Sequence, residues 1–131
     1  MKRSNNEHVQ QSALIQWRDI NKSLIPELQL LFAIPNAGGY TGGFKSNMLR
    51  VIKMKAEGLT PGVPDLFLAV PMMNFHGLFI EMKYGKNKPS PEQDKMICKL
   101  VCAGYAVSVC YSWVEAKEKI EWYLGLSQNV T

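Results

Sequence analysis

Two segments of the sequence carry charged side chains where an apolar environment is expected. Asp65 precedes the apolar run LFLAV, and Glu81 and Lys83 end the run LFIEMK. Two carboxylates held together repel each other, and each is driven toward protonation unless a cation neutralises them. Such hard oxygen ligands suit Mg²⁺ or Mn²⁺, which use one or two carboxylates together with substrate phosphate. The pattern therefore indicates metal-assisted phosphodiester hydrolysis, in which Lys83 orients the nucleophile or adds positive charge.

This chemistry requires the three side chains to meet, and the predicted strands bring them together. Residues 65–70 and 78–82 read as a hairpin around the turn PMMNFHG. In an antiparallel hairpin the start of the first strand lies beside the end of the second. Side chains alternate between faces with a period of two, so Glu81 and Lys83 point to one face and Met82 points to the other. We therefore expect Asp65, Glu81 and Lys83 to converge at one end of a sheet.

The remaining elements alternate around this hairpin. Apolar spacing and capping residues predict helices over residues 4–20, 45–57 and 91–103, and a last helix from SWVE to Gly125. SNNE, SPEQ and SWVE each have the pattern of a capping box. Short apolar runs predict strands over residues 28–35 and 105–110, the second of which follows a parallel crossover. The predicted fold is one α/β domain with a mixed sheet flanked by helices, in the order α-β-α-β-β-α-β-α.

Composition limits the class of protein. A chain of 131 residues with 47% hydrophobic residues buries one core. No run of eighteen apolar residues is present, and the start MKRSNNEHVQ lacks the apolar stretch of a signal peptide, which predicts a cytoplasmic protein that is neither secreted nor embedded in a membrane. The three cysteines, Cys98, Cys102 and Cys110, lie in apolar patterns without metal-ligand spacing, so we interpret them as buried free thiols. The net charge of +4 permits a polyanionic partner.

The charged motif also resembles that of a known group of enzymes. Pro64-Asp65 followed by Glu81-Met82-Lys83 resembles the signature of the PD-(D/E)xK nuclease superfamily. The surrounding GLTPGVPDLFL, GLFIEMK, SPEQ and CAGYAVSV, with PNAGG upstream, look like the VRR-NUC family, the virus-type replication-repair nuclease domain. The resemblance extends from about Glu7 to Leu124. It implies a restriction-endonuclease-like fold and a metal-dependent DNA nuclease with Asp65, Glu81 and Lys83 in its core motif.

The resemblance implies further site residues as well. The backbone carbonyl of Met82 and the carboxylate of Glu7 would be additional ligands of Mg²⁺ or Mn²⁺, and Gln93 would join the catalytic residues. Both Glu7 and Gln93 also have a structural interpretation, because each lies three residues after a serine that can cap a helix. For Gln93 the catalytic and capping roles would compete for one side chain.

The resemblance finally implies a substrate and an assembly. Small stand-alone members of the family look like homodimers that process branched DNA such as four-way (Holliday) junctions, which suggests a DNA-repair role in a bacterial or phage-infected cell. DNA contacts are expected from Asn36, Gly38, Gly39 and Tyr40, and from Lys86 and Lys88. The glycines allow close approach of a phosphate backbone and Tyr40 offers a stacking surface, although a plain turn and solvated lysines explain the same residues. The loop reads GGYTGG without an arginine, which departs from the family pattern.

Two other functions fit part of the pattern. A non-catalytic DNA-binding module of the same fold predicts salt-sensitive binding that is indifferent to metal. A hydrolase of small phosphoesters would not need the basic residues of the predicted second helix, which are Lys45, Arg50, Lys53 and Lys55.

Overall fold

The predicted order of helices and strands is confirmed. The computed structural model describes the backbone of residues 2–36 and 44–126, and the side chains of residues 6–36 and 45–126. The elements in this part of the chain are α1 (Lys2–Asn21), a 3₁₀ helix (Pro26–Leu30), β1 (Leu31–Ala33), α2 (Phe44–Ala56), β2 (Leu66–Leu68), β3 (Leu78–Met82), α3 (Pro91–Cys102), β4 (Ala106–Cys110) and α4 (Trp113–Tyr123). Among the described residues, none of the helices combines the length and the apolar character needed to span a membrane.

The described strands form one mixed sheet in the order β1-β2-β3-β4. β2 pairs antiparallel with both β1 and β3, whereas β3 and β4 are parallel and are connected through α3. The hairpin and the parallel crossover predicted from the sequence are therefore both present, and β3 occupies a central position between two partners.

The hydrophobic core lies on one face of this sheet. Alternate residues of β2 and β3 point into it, and α1 and α4 cover it with Leu14, Ile120 and Tyr123. The hydroxyl of Tyr123 donates a hydrogen bond of 2.7 Å to the carbonyl of Val70, so its polar end is satisfied inside the core. The opposite face carries α3, which contributes no fully buried side chain. This second face is open enough to hold a site.

The strand predicted over residues 28–35 is shorter than expected. Residues 26–30 form a 3₁₀ helix, and β1 begins only at Leu31. Pro26 is the reason, because its fixed φ suits the first position of a helical turn, and the N–H of Leu28 donates to the carbonyl of Ile25 at 3.0 Å. The strand predicted over residues 65–70 is likewise shorter, so Asp65 directly precedes β2.

Two of the predicted capping boxes are wrong. α1 begins at Lys2, so Ser4 lies inside the helix, because Lys2 and Arg3 are good helix formers that extend it toward the N-terminus. At α4, Ser112 Oγ accepts from the N–H of Glu115 at 3.1 Å as expected. Glu115 Oε1, however, accepts from the N–H of Tyr111 at 3.0 Å, one residue before the cap. The capping box at Ser90 is confirmed.

The prediction of three buried thiols is also wrong, because only Cys110 is buried. Cys98 and Cys102 lie one turn apart on α3 and are exposed. The half-buried Met96, Ile97 and Leu100 occupy the side of α3 that faces the sheet, and helical spacing directs the two cysteines away from it.

Candidate active site

Asp65, Glu81 and Lys83 converge as the hairpin predicted. Asp65 Oδ2 accepts a hydrogen bond of 2.8 Å from the N–H of Met82, which ties the start of β2 to the end of β3. Lys83 Nζ lies 3.4 Å from Glu81 Oε2. The carboxyl groups of Asp65 and Glu81 are close enough to form a hydrogen bond when one of them is protonated. Two acids and one amine therefore share a small site at one end of the sheet.

The charged side chains of this site are largely shielded from solvent. Glu81 is 3% exposed and is the one buried charged residue among those described, and the side chain of Lys83 is 13% exposed. Met82, between them, points into the core on the other face. Burying a charge is costly unless the charge is paired and hydrogen-bonded, so the partners of Glu81 decide what this site can do.

Gln93 is one of those partners, and its side chain both caps α3 and binds Glu81. Gln93 Oε1 accepts from the N–H of Ser90 at 2.8 Å, and Ser90 Oγ accepts from the N–H of Gln93 at 3.2 Å. Gln93 Nε2 donates to Glu81 Oε2 at 3.0 Å. Capping and contact with Glu81 therefore do not compete for this side chain, because the oxygen of the amide makes one bond and the nitrogen makes the other; a catalytic role of Gln93 remains a prediction.

Glu7 reaches the edge of the site from α1. Its Oε2 accepts a hydrogen bond of 3.3 Å from Asn87 Nδ2, and its charge contributes to raising the pKa of Asp65. The capping interpretation of Glu7 fails, because Ser4 does not begin the helix. Glu7 does not complete a compact cluster, since no three His, Cys, Asp or Glu side chains in the described part of the chain are close enough to hold a metal ion together.

Asn87 and Tyr111 were not identified from the sequence. Asn87 lies in the loop after β3, and its carbonyl accepts a hydrogen bond of 2.9 Å from the hydroxyl of Tyr111. Together with the bond to Glu7, this contact fixes the loop against α1 and the end of β4. No local sequence pattern predicts either contact, because Glu7 and Asn87 are 80 residues apart and Asn87 and Tyr111 are 24 residues apart.

The electrostatics of the site favour protonation when no cation is present. Burial, followed by the charge of Asp65, raises the pKa of Glu81 to about 8, and Lys83 opposes this shift. Burial also raises the pKa of Asp65, against the lowering effects of the Met82 N–H and of Lys83. One ammonium group does not compensate two desolvated carboxylates.

The donor set fits a divalent cation. Glu81 Oε1 is buried and has no hydrogen-bond partner among the described residues. Two ionised carboxylates have no proton to share, so this oxygen remains unsatisfied unless a proton or a cation binds there. Two carboxylates suffice for Mg²⁺, which keeps several waters and takes further oxygens from a substrate phosphate. The predicted contribution of the Met82 carbonyl remains a prediction.

Three of the residues predicted to contact DNA belong to the described part of the chain. Asn36 is exposed just after β1 and lines a cavity that also contains Asp65. Lys86 and Lys88 are exposed on the loop after β3, on either side of Asn87. Gly38, Gly39 and Tyr40 lie outside the described residues.

Comparison with known proteins places this site in a family context. The family model described as the VRR-NUC domain matches residues 6–113. A solved structure described as a VRR_NUC domain protein resembles this fold with a TM-score of 0.73 and 24% sequence identity, over 92% of this chain and 89% of that chain. Among curated proteins no match is found.

Proposed function

This chain belongs to the VRR-NUC family, and from that premise we propose that it is a metal-dependent nuclease that hydrolyses phosphodiester bonds in DNA. Family membership supports a nuclease-type fold and activity. The observation that carries the proposal for this chain is the buried Glu81, whose Oε1 has no hydrogen-bond partner in the described part of the chain and whose carboxyl group adjoins that of Asp65. A site that only stabilised the fold would not need a buried acid beside a half-buried one, both with raised pKa values.

Each residue has a distinct role in this proposal. Asp65 and Glu81 would hold Mg²⁺ or Mn²⁺, with the Met82 carbonyl as a further oxygen donor and with Glu7 adding its negative charge from the edge of the site. A bound divalent ion supplies Lewis-acid stabilisation of phosphate charge and access to a hydroxide nucleophile at neutral pH. Lys83 keeps a positive charge beside Glu81 and toward the reacting phosphate. Gln93 fixes the position of Glu81 through its amide nitrogen.

The direct test is cleavage of DNA with and without metal. We expect cleavage in Mg²⁺ or Mn²⁺ and none in EDTA. Asp65→Asn and Glu81→Gln should each lower the rate by about 100-fold or more, because each removes a negative charge that would hold the divalent ion on which transition-state stabilisation depends. Glu118→Gln, which changes an exposed carboxylate on α4, is the control and should retain the wild-type rate. Wild-type rates in either site variant would contradict the proposal.

We further propose branched DNA, such as four-way junctions, as the substrate and a homodimer as the active form, acting in DNA repair in the cytoplasm of a bacterial or phage-infected cell. Support for the dimer comes from the small domain, the symmetry of paired cuts, and the exposed apolar side chains of Phe32 on β1 and of Met48, Leu49 and Ile52 on α2. A cleavage assay that compares junctions, flaps and duplexes tests the substrate, and sedimentation at micromolar concentration tests the dimer.

The alternative function is a non-catalytic DNA-binding module. Salt-sensitive DNA binding without metal-dependent cleavage would identify it.

A further inference from the structure

A cavity of about 460 Å³ opens beside the candidate active site. It lies between the last turns of α2, the segment of residues 59–63 and the first turn of α3, and both Asp65 and Gln93 line it. Its volume falls in the range of about 300–1,000 Å³ that is typical of ligand pockets. Because it shares two residues with the site, a chain that binds at Asp65 can continue into this cavity.

Lys55 is the only cationic residue among the described residues that line this space, which we call the Lys55 cavity. Asn36 and Thr60 add polar groups, while Asp65 and Glu92 add carboxylates. Lys55 forms no ion pair with a described residue. Its charge is therefore not neutralised by a described carboxylate and is available to an anionic ligand.

The backbone around the cavity holds Lys55 at a fixed place relative to the site. Gly58, two residues after the end of α2, has a φ of +112°, which allows the N–H of Leu59 to donate to the carbonyl of Met54 at 2.9 Å. Gly62 then passes so close to α3 that a Cβ atom there would lie 2.6 Å from the carbonyl oxygen of Glu92. The end of α2 is thereby connected to the helix that carries Gln93 by a short, tightly packed segment.

We propose that the Lys55 cavity binds the phosphate of the DNA strand that adjoins the cleaved bond, with Lys55 Nζ paired to that phosphate. The inference rests on the proposed nuclease function and adds a binding subsite to it. A strand whose reacting phosphate lies at Asp65 and Glu81 must leave through a neighbouring opening. Its next phosphate would be repelled by Asp65 and Glu92 unless a cation compensates, and Lys55 supplies that cation.

The charge of Lys55 also has a purely structural explanation, and Lys53 provides a control for it. Lys53 and Lys55 both lie in the last turn of α2, where cations complement the helix dipole. Lys53 is exposed in the same way but does not line the cavity. Lys53→Ala therefore removes the same structural contribution without touching the proposed subsite.

The first experiment measures binding of a fluorescein-labelled four-way junction in EDTA over a series of salt concentrations. Lys55→Ala should weaken binding about 10-fold and lower the salt slope by about one, since one phosphate contact is lost. Lys53→Ala should change the affinity less than about twofold, and Lys55→Arg should restore most of it. Equal effects of Lys53→Ala and Lys55→Ala, with equal melting temperatures, would overturn the inference.

The second experiment locates the phosphate. Single methylphosphonate groups, which are uncharged, replace the phosphates on either side of the cleaved bond one at a time. One replacement should slow cleavage by the wild type about 5-fold or more yet cause no further loss in Lys55→Ala, because both changes remove the same ion pair. If the two effects multiply at every position, the subsite is wrong while the nuclease function stands. If the wild type cleaves no DNA in Mg²⁺ or Mn²⁺, the proposed function fails and the subsite fails with it.

Discussion

The Gln93 amide links two requirements that are usually met by separate residues. Its oxygen completes the N-terminal cap of α3, and its nitrogen donates to Glu81, which otherwise has only Lys83 as a described polar partner. The rotation of this amide is therefore fixed from both ends, and Glu81 Oε2 is fixed with it. The other oxygen, Oε1, has no hydrogen-bond partner among the described residues and remains available to a proton or a cation.

Substitutions at Gln93 can separate these two requirements. Gln93→Glu keeps an oxygen that accepts from the Ser90 N–H but cannot donate to Glu81, and it adds a third negative charge. We expect its melting temperature to stay close to that of the wild type, while metal-dependent cleavage falls about 10- to 100-fold. Cleavage rates and thermal unfolding measured on the same preparations test this expectation.

Gln93→Ala is the matched comparison, because it loses both functions. It should cleave as poorly as Gln93→Glu and should also lose about 1 kcal/mol of stability, because the Ser90 N–H loses its side-chain acceptor. A Gln93→Glu protein that cleaves at the wild-type rate would show that the bond to Glu81 has no positioning role.

At the scale of secondary-structure elements, the site is held where three elements meet at one end of the sheet. β2 and β3 carry the carboxylates, and the first turn of α3 brings Gln93 over them. α3 contributes no fully buried side chain, so its position depends on polar bonds and backbone contacts more than on packing. The close approach of Gly62 to Glu92 is one such contact.

Gly62 provides a test of this arrangement, with Gly58 as a control. Both glycines have a positive φ, of +89° and +112°, so an alanine is strained at either position. A Cβ at Gly58 meets nothing within 4 Å, whereas a Cβ at Gly62 collides with the backbone of Glu92. We expect Gly58→Ala to cost about 1 kcal/mol and Gly62→Ala to cost about 2–3 kcal/mol in the free energy of unfolding.

The same pair also separates stability from activity. Gly62→Ala should displace the first turn of α3 and lower cleavage well beyond Gly58→Ala at a temperature where both proteins are folded. Urea unfolding with cleavage assays would measure both quantities. Identical losses in the two variants would mean that the contact with Glu92 does not position α3.

At the scale of the whole molecule, the two faces of the sheet have opposite roles. The face covered by α1 and α4 buries the apolar residues, including Leu66, Ile80 and Met82, and provides the stability. The other face places Glu81 among few compensating partners and lowers that stability. Such a division is expected where a functional site requires buried charges that lower the stability of the fold.

The unfavourable burial of ionised Glu81 should make the stability of the protein depend on pH in the absence of metal. The pKa of Glu81 is about 8 in the folded chain against an ordinary value of 4.5, so between these values the folded protein holds a proton that the unfolded chain has released. The free energy of unfolding must then fall as pH rises through this window, by on the order of 3 kcal/mol. Urea unfolding in EDTA at pH 5.5, 6.5 and 8 measures this change.

Two controls assign the effect. Glu81→Gln is neutral at every pH, so most of the slope should disappear and the variant should be more stable than the wild type at pH 8. Glu118→Gln, on the exposed side of α4, should keep the wild-type slope. Addition of Mg²⁺ at pH 8 should stabilise the wild type but not Glu81→Gln. A wild-type stability that does not fall between pH 5.5 and 8 would contradict the assigned environment of Glu81.

The sequence by itself determined the parts of this protein that depend on local periodicity. Period-two alternation in LFIEMK placed Glu81 and Lys83 on one face and Met82 in the core, and antiparallel pairing brought Asp65 beside them. Predictions were less accurate where two local preferences oppose each other. The apolar run after Pro26 predicts a strand, but the fixed φ of Pro26 favours a helical turn, and the start of the predicted strand is a 3₁₀ helix. Similarly, one-sided packing of α3 leaves Cys98 and Cys102 exposed.

Only the tertiary structure decided which distant residues serve the site. The bond between Glu7 and Asn87, the two-ended role of Gln93 and the position of Lys55 beside Asp65 each join elements whose relative placement no local pattern encodes. The unpartnered Glu81 Oε1 also belongs to this group, because burial is a property of packing. The physical reason is that backbone periodicity acts over a few residues, whereas side-chain contacts and desolvation depend on how the finished elements pack.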